Sequence, residues 1–480
     1  MKKLVNDIIN RLFLRNVQFA DVRFTSSDEE SFYFERGDLK RYNIDEDKNA
    51  LGIRVLVDGA WGFAGLNTFN KGSIDKAIKK AINNAKHTAK FKRKPVILQE
   101  LDGVKTSFIQ KPEKDPFLMM KKNKIDYFSQ LAEKINNLDD KIIYNSVNIN
   151  FSRQYKIYAN TEGTFVDTLK YITGPKIQLT SSNGTEVMRR TYPGDMNAYS
   201  GGFEVIDNLN FDDNIDKIYE EVIKLLDAPR IKEDKADLII GYNHLALQIH
   251  ESIGHATEAD RLFGKEISYA GKTFVKPEMI GKYKYGSDKV NIVCDTTDRD
   301  GIGYHPVDDE GVKNKKVDII KNGILVGLQT SREAASKLGI KRSASMLANY
   351  ADNFPLIRMT NINLLPGEAG TLKNLIKNTE KGYYINFTKS WSIDDSRNNF
   401  QFTTEIGWKI EDGEITGIVK EPTYYGITKD FWNSCDAICG EEEWEYNGTM
   451  MCGKGEPGQG KPLSHKTSPA RFRNVDINVD

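Results

Sequence analysis

Cysteine and histidine are both scarce in this 480-residue sequence, with four of the first (Cys294, Cys435, Cys439 and Cys452) and six of the second. So few cysteines rule out a disulfide framework, and in a reducing compartment they read as free, catalytic or metal-bound thiols. Net charge is missing as well: Lys plus Arg is 68 and Asp plus Glu is 68. That balance argues against bulk electrostatic binding to DNA, RNA or an anionic membrane. The densest basic run, Lys90–Lys94, reads as a solvated linker. No stretch approaches the ~20 apolar residues of a membrane span. The amino terminus (Met-Lys-Lys-Leu-Val-Asn-Asp-Ile-Ile-Asn-Arg-Leu) lacks the continuous apolar core of a secretory signal. The expected setting is therefore the cytoplasm, with neither nucleic acid nor membrane as partner. Short-period repeats, a serine nucleophile elbow and a phosphate-binding loop are absent too. Gly453-Lys454-Gly455 has neither the spacing nor the strand-to-helix context of a P-loop.

What is present is a globular composition, 39% hydrophobic and 28% charged, in a chain too long for one ordinary core. Three units are expected, at residues 1–105, 106–230 and 231–480. The first is α+β: an amphipathic helix over Leu4–Leu14, short strands within Asp21–Gly65, and a helix from an N-cap at Ser73 to Lys86. Residues 90–116 read as a connector. The second unit has a helix over Phe117–Leu138, four short strands between Ile142 and Ser182, and a helix over Asp213–Leu226. The third begins with a buried strand, Ala236–Ile240, and continues mostly as short strands. Asp58-Gly59, Asn322-Gly323 and Asp412-Gly413 each predict a two-residue hairpin turn.

The chemical centre is His250-Glu251-Ser252-Ile253-Gly254-His255, on an otherwise apolar segment. A metallopeptidase needs neutral imidazoles to hold the ion, an open position for water, and a carboxylate to take that water's proton. The familiar spacing places two histidines at i and i+4 on one helix face. Here they stand at i and i+5, which rotates the second by about 140° on a regular helix. Both can face one ion only if the backbone is irregular, through a π-bulge or a helix end near Gly254, and glycine tolerates either. Two histidines leave a catalytic zinc site one ligand short. A cysteine, a histidine or an acid could complete it. Cys452, in a glycine-rich stretch, is one candidate, although a lone cysteine by itself reads first as a buried inert thiol. His244, about 240° from His250 on a regular helix, is not a ligand. His305 reads as a surface histidine, and the i,i+4 pair Cys435 and Cys439 as helix packing.

His-Glu-x-x-x-His followed by a distant Cys452-Gly453-Lys454 resembles the TldD/PmbA family, specifically its TldD-type metallopeptidases. The likeness extends through Ala20-Asp21-Val22-Arg23, Gly52–Ala64, Asp308-Asp309-Glu310-Gly311, Asn322–Leu325, Arg358-Met359-Thr360-Asn361 and Leu365-Pro366-Gly367. It implies His250, His255 and Cys452 as ligands of one zinc ion and Glu251 as the catalytic glutamate. It also implies an α+β amino-terminal part, a β-rich, barrel-like carboxy-terminal part, and a homodimer or a heterodimer with a metal-free paralogue. Glu258 and Asp260 match acidic positions of the family and either orient a ligand histidine through a hydrogen bond or form a solvated turn. Lys341–Tyr350 matches more loosely, and no substrate contact is carried over there. The expected function is zinc-dependent cleavage of unstructured or extended peptides. The alternative is a non-catalytic peptide-binding or regulatory subunit. The DNA-associated label historically attached to the family fits poorly with zero net charge.

Overall fold

A computed structural model describes all residues except 16, 267–269 and 478–480. Its amino-terminal part is built around one eight-stranded sheet. Strands Phe19–Glu35, Asp38–Val57 and Ala60–Leu66 form an antiparallel meander, continued by Ile142–Asn160 and Phe165–Ser182. The last two are long continuous strands where four short ones are expected. Polar Ser152, Arg153 and Gln154 stay in the ladder because they pair on both sides. Residues 90–116 are also more than a connector, since Lys105–Ile109 adds a parallel strand beside Phe165 to Leu169. Helix Lys71–Ala89 lays Ile74, Ala77, Ile78, Ala81 and Ala85 on the sheet, the stripe expected of an amphipathic helix. Its N-cap is Asn70 rather than Ser73: the Asn70 side chain accepts the Ser73 amide at 2.9 Å. Helices Lys121–Asn136 and Phe211–Asp227 cover a second core around Phe32, Phe128, Phe151 and Phe203.

The carboxy-terminal part contains a closed five-stranded barrel. Its order is Lys381–Ile393, Lys235–Ile240, Ala470–Ile477, Thr423–Ile427 and Asn399–Glu411, the last pairing back onto the first. All three predicted turns are hairpins with positive φ at both central residues: Asp58 and Gly59, Asn322 and Gly323, Asp412 and Gly413. That conformation is what favours Asn/Asp followed by Gly. The barrel strands and the helix Tyr242–Ile249 share the largest core. The fold is therefore α+β with a barrel in its carboxy-terminal part. No described helix is long and apolar enough to cross a membrane.

Candidate metal centre

Helix Tyr242–Ile249 is regular, but the next turn, His250–Gly254, is a π-helix, followed by a 3₁₀ turn at His255–Thr257. The extra residue brings the i,i+5 histidines together, with ring centroids 4.8 Å apart. Carbonyls freed by the irregular turn find side-chain donors. Tyr285 OH donates to Ser252 O, Thr257 Oγ1 to Ile253 O at 2.9 Å, and Gln329 Nε2 to Gly254 O at 2.6 Å. Gly254 is required by close approach, because a Cβ there would lie 2.1 Å from Met359 Sδ.

Cys452 arrives on strand Glu445–Lys454, which is bulged between Thr449 and Cys452. A bulge re-aims the side chains beyond it, and Cys452 Sγ lies 3.6 Å from His255 Nε2. Donor atoms of His250, His255 and Cys452 all fall within 4.8 Å of one another, and all three residues are buried.

Hydrogen bonds fix the tautomer of each ring. Two groups meet His255 Nδ1, the Glu258 carboxylate at 3.0 Å and Arg261 Nη2 at 3.2 Å; the nearer, acceptor-only carboxylate takes the Nδ1 proton, which leaves Nε2 as the lone-pair nitrogen facing Cys452. His465 Nδ1 donates to Ile362 O at 2.8 Å, so its Nε2 accepts from His250 Nδ1 at 3.0 Å. The His250 lone pair is then also on Nε2. Burial holds both ring pKa values well below the ordinary histidine range, so both imidazoles are neutral. Burial pushes the Cys452 thiol up to about 11, against the opposing charge of Arg358. Two neutral imidazole nitrogens and one thiol converging at the wall of a cavity are a donor set that fits zinc.

That cavity, of 470 Å³, is lined by His250, Glu251, His255, Cys452, Trp391 and Arg397 among others. Glu251 forms an ion pair with Arg397 and is hydrogen-bonded to Trp391. Burial raises the Glu251 carboxyl above its usual range, with Arg397 opposing the shift. Glu258 is wholly buried and is also held by Arg261 Nε at 2.7 Å and Lys454 Nζ at 3.2 Å. These two cations keep its carboxyl well below the ordinary range despite burial. Asp260 does not touch either ring; it pairs with Lys454 at 2.9 Å. His465, Arg397 and Trp391 carry no local sequence signal. The only hint was that His465 is one of six histidines.

Other expectations change. His305 is buried, and its Nε2 donates to Ala344 O at 2.9 Å. Cys435 and Cys439 are not on a helix. Cys435 opens the strand Cys435–Ile438, Cys439 follows it, and both are buried in apolar clusters. His244 is buried away from the centre, bonded to Thr388 Oγ1 at 2.8 Å and Tyr424 OH at 3.0 Å.

Known proteins resemble this chain over most of its length. A metalloprotease of Methanothermobacter thermautotrophicus is 25% identical over 96% of this chain and 95% of its own. A zinc metalloprotease TldD homologue of Saccharolobus solfataricus is 24% identical over 88% of each chain. Among solved structures, a Thermotoga maritima protein named as a candidate modulator of a DNA gyrase superposes with a TM-score of 0.78. It shares 17% identity over 99% of this chain and all of its own, and so speaks to the fold alone. The model of the PmbA/TldA metallopeptidase C-terminal domain matches residues 233–477, more than half of the chain, and that of metallopeptidase domain 1 matches residues 20–85. The chain therefore belongs to the PmbA/TldD family of metallopeptidases.

Proposed function

We propose that the protein is a zinc-dependent peptidase acting on extended peptides, with His250, His255 and Cys452 as metal ligands and Glu251 as general base. The observation that carries this reading is the convergence of three buried N, N and S donors beside a buried glutamate in one cavity. Zinc bound there would supply a Lewis acid for the peptide carbonyl and lower the pKa of its water toward ~7. Glu251 takes the proton of the attacking water and delivers it to the leaving amine. Arg397 orients the Glu251 carboxylate, and Glu258 and His465 hold the ligand rings in the metal-binding tautomer. The resemblance implies that the peptide pairs with a strand edge, a mode suited to recognition of a main chain. The resemblance further implies a dimer, with a second copy or with a metal-free paralogue.

The deciding experiment is metal analysis by plasma mass spectrometry paired with peptide hydrolysis. Native protein should carry zinc, which Cys452→Ser loses or holds weakly. Glu251→Gln should keep the metal and lose hydrolysis by roughly 10²–10⁴-fold, the usual worth of a general base. Normal turnover in Glu251→Gln would remove that residue from its role. Absence of metal from native protein, before and after zinc addition, would favour a non-catalytic peptide-binding subunit.

A further inference from the structure

A second cavity, of 390 Å³, lies between the amino-terminal sheet and the carboxy-terminal part, and its charge is distributed unevenly. Lys156 and Lys170 enter from adjacent strands. Lys156 pairs with Thr168 and Lys170 with Gln154, so with the alternation of a strand both lysines stand on one face. Lys461 enters from the carboxy-terminal hairpin, where it is the cross-strand partner of Cys452. Only Lys156 has a carboxylate partner, Asp309. Lys170 donates to the carbonyls of Ile302 and Tyr304. The Lys461 side chain has no hydrogen bond or ion pair among the described residues.

The acidic groups of this cavity stand elsewhere. Glu29 accepts from Tyr350 OH at 2.7 Å, and Glu30 is paired with Lys124. Lys156 lies opposite Thr25, which is roughly 13 Å along the strand from Glu29 at ~3.3 Å per residue. One end of the cavity therefore gathers ammonium groups with too few anions to balance them. Burial, then repulsion from Lys461 and Lys156, brings Lys170 down to about 7. A bound anion would relieve that repulsion and restore full charge.

This cavity adjoins the metal centre. Met451, on the bulge just before Cys452, lines both cavities. An extended peptide passing Met451 would reach the lysines within a few residues of the metal. We infer that the lysine-lined cavity, formed by Lys156, Lys170 and Lys461, is a subsite that binds a carboxylate of the peptide, from its carboxy terminus or an acidic side chain. The inference rests on the peptidase reading for the identity of the ligand, though not for its charge.

The test uses full-length protein supplied with zinc. Three N-acetylated, alanine-rich heptapeptides are compared: one ending in a free carboxylate, one in a carboxamide, and a carboxamide carrying one glutamate. The expected result is a KM at least ten-fold lower for one acidic peptide than for the neutral one. That ratio should fall to near one in Lys461→Met and persist in Lys461→Arg, which also controls for folding. Preference for the free terminus or for the glutamate identifies the source of the carboxylate. Equal KM values for all three peptides, unchanged in Lys461→Met, would overturn the subsite and leave the peptidase reading intact. Calorimetry with inorganic sulfate separates the two failures. If no peptide is cleaved but sulfate binds saturably and Lys461→Met abolishes it, the peptidase reading falls and the anion site stands. If sulfate does not bind either, both fall.

Discussion

At the scale of single residues, the centre depends on which nitrogen of each histidine carries the proton. The main-chain carbonyl of Ile362 sets His465, and His465 sets His250, across 215 positions of sequence. Replacing His465 with Phe would leave His250 free to take the other tautomer. Zinc affinity should then fall about 10–100-fold, the usual cost of losing an orienting partner, measured by competition with a chromophoric chelator. His244 illustrates a different histidine chemistry. Burial lowers its pKa from 6.5 to about 3, so it stays neutral in the folded protein while the unfolded chain takes up a proton. Its contribution to stability is complete above pH 6.5 and is lost as pH falls toward 3, at ~1.4 kcal/mol per pH unit. Urea denaturation of the His244→Gln variant between pH 6 and 4 should show a slope shallower by about that amount. At this scale the sequence was partly legible. His250, Glu251 and His255 are close neighbours and announce themselves. Cys452 needed a family resemblance, and Arg397 reaches Glu251 from 146 residues away with nothing local to mark it.

Among the elements, the π-turn at His250–Gly254 is where spacing dictated geometry. Histidines at i and i+5 cannot share a ligand on an α-helix, and the backbone resolves this by inserting a residue in the turn. The turn is held by side chains from far away in sequence, and by Met359 pressed against Gly254. Gly254→Ala should therefore destabilise the protein by ~1–3 kcal/mol through overpacking and displace His255. Thermal denaturation and zinc content report the two effects, and Gly254→Ala combined with Met359→Ala should recover part of both. Native stability and zinc content in Gly254→Ala would show that the close approach yields without cost. Elements set by local chemistry, such as the Asp-Gly and Asn-Gly hairpins, could be read directly. Those set by distant pairing could not: Lys105–Ile109 is a strand because Phe165 to Leu169 lies beside it, in a stretch with weak patterning of its own.

For the whole molecule, the question is what fixes the amino-terminal sheet to the part carrying the metal centre. Three of the stretches that carried the family resemblance meet there. Arg54, fully buried on strand Asp38–Val57, donates from Nε to Asp21 at 2.6 Å and from Nη2 to the carbonyl of Asp309 at 2.7 Å. Its Nη1 lies 3.5 Å from Glu310, and Arg23 stands beside Asp21 at 3.3 Å. Asp309 also takes Lys156 of the proposed carboxylate subsite, so the same network borders that cavity. A buried ion pair adds little net stability compared with a well-packed apolar pair, but removing one partner strands the other's charge. Arg54→Met should cost about 3–5 kcal/mol, because Asp21 is wholly buried and loses its main counter-charge. The double variant Arg54→Met with Asp21→Asn should recover part of that loss, since the buried carboxylate is gone while an amide oxygen still faces Arg23. Guanidinium denaturation of the three proteins measures the coupling. Additive losses would show that Arg54 acts through its bond to the Asp309 carbonyl rather than through Asp21. The sheet would then be joined to the metal-bearing part by main-chain contacts, and Asp21 and Arg23 would serve only the sheet's own interior.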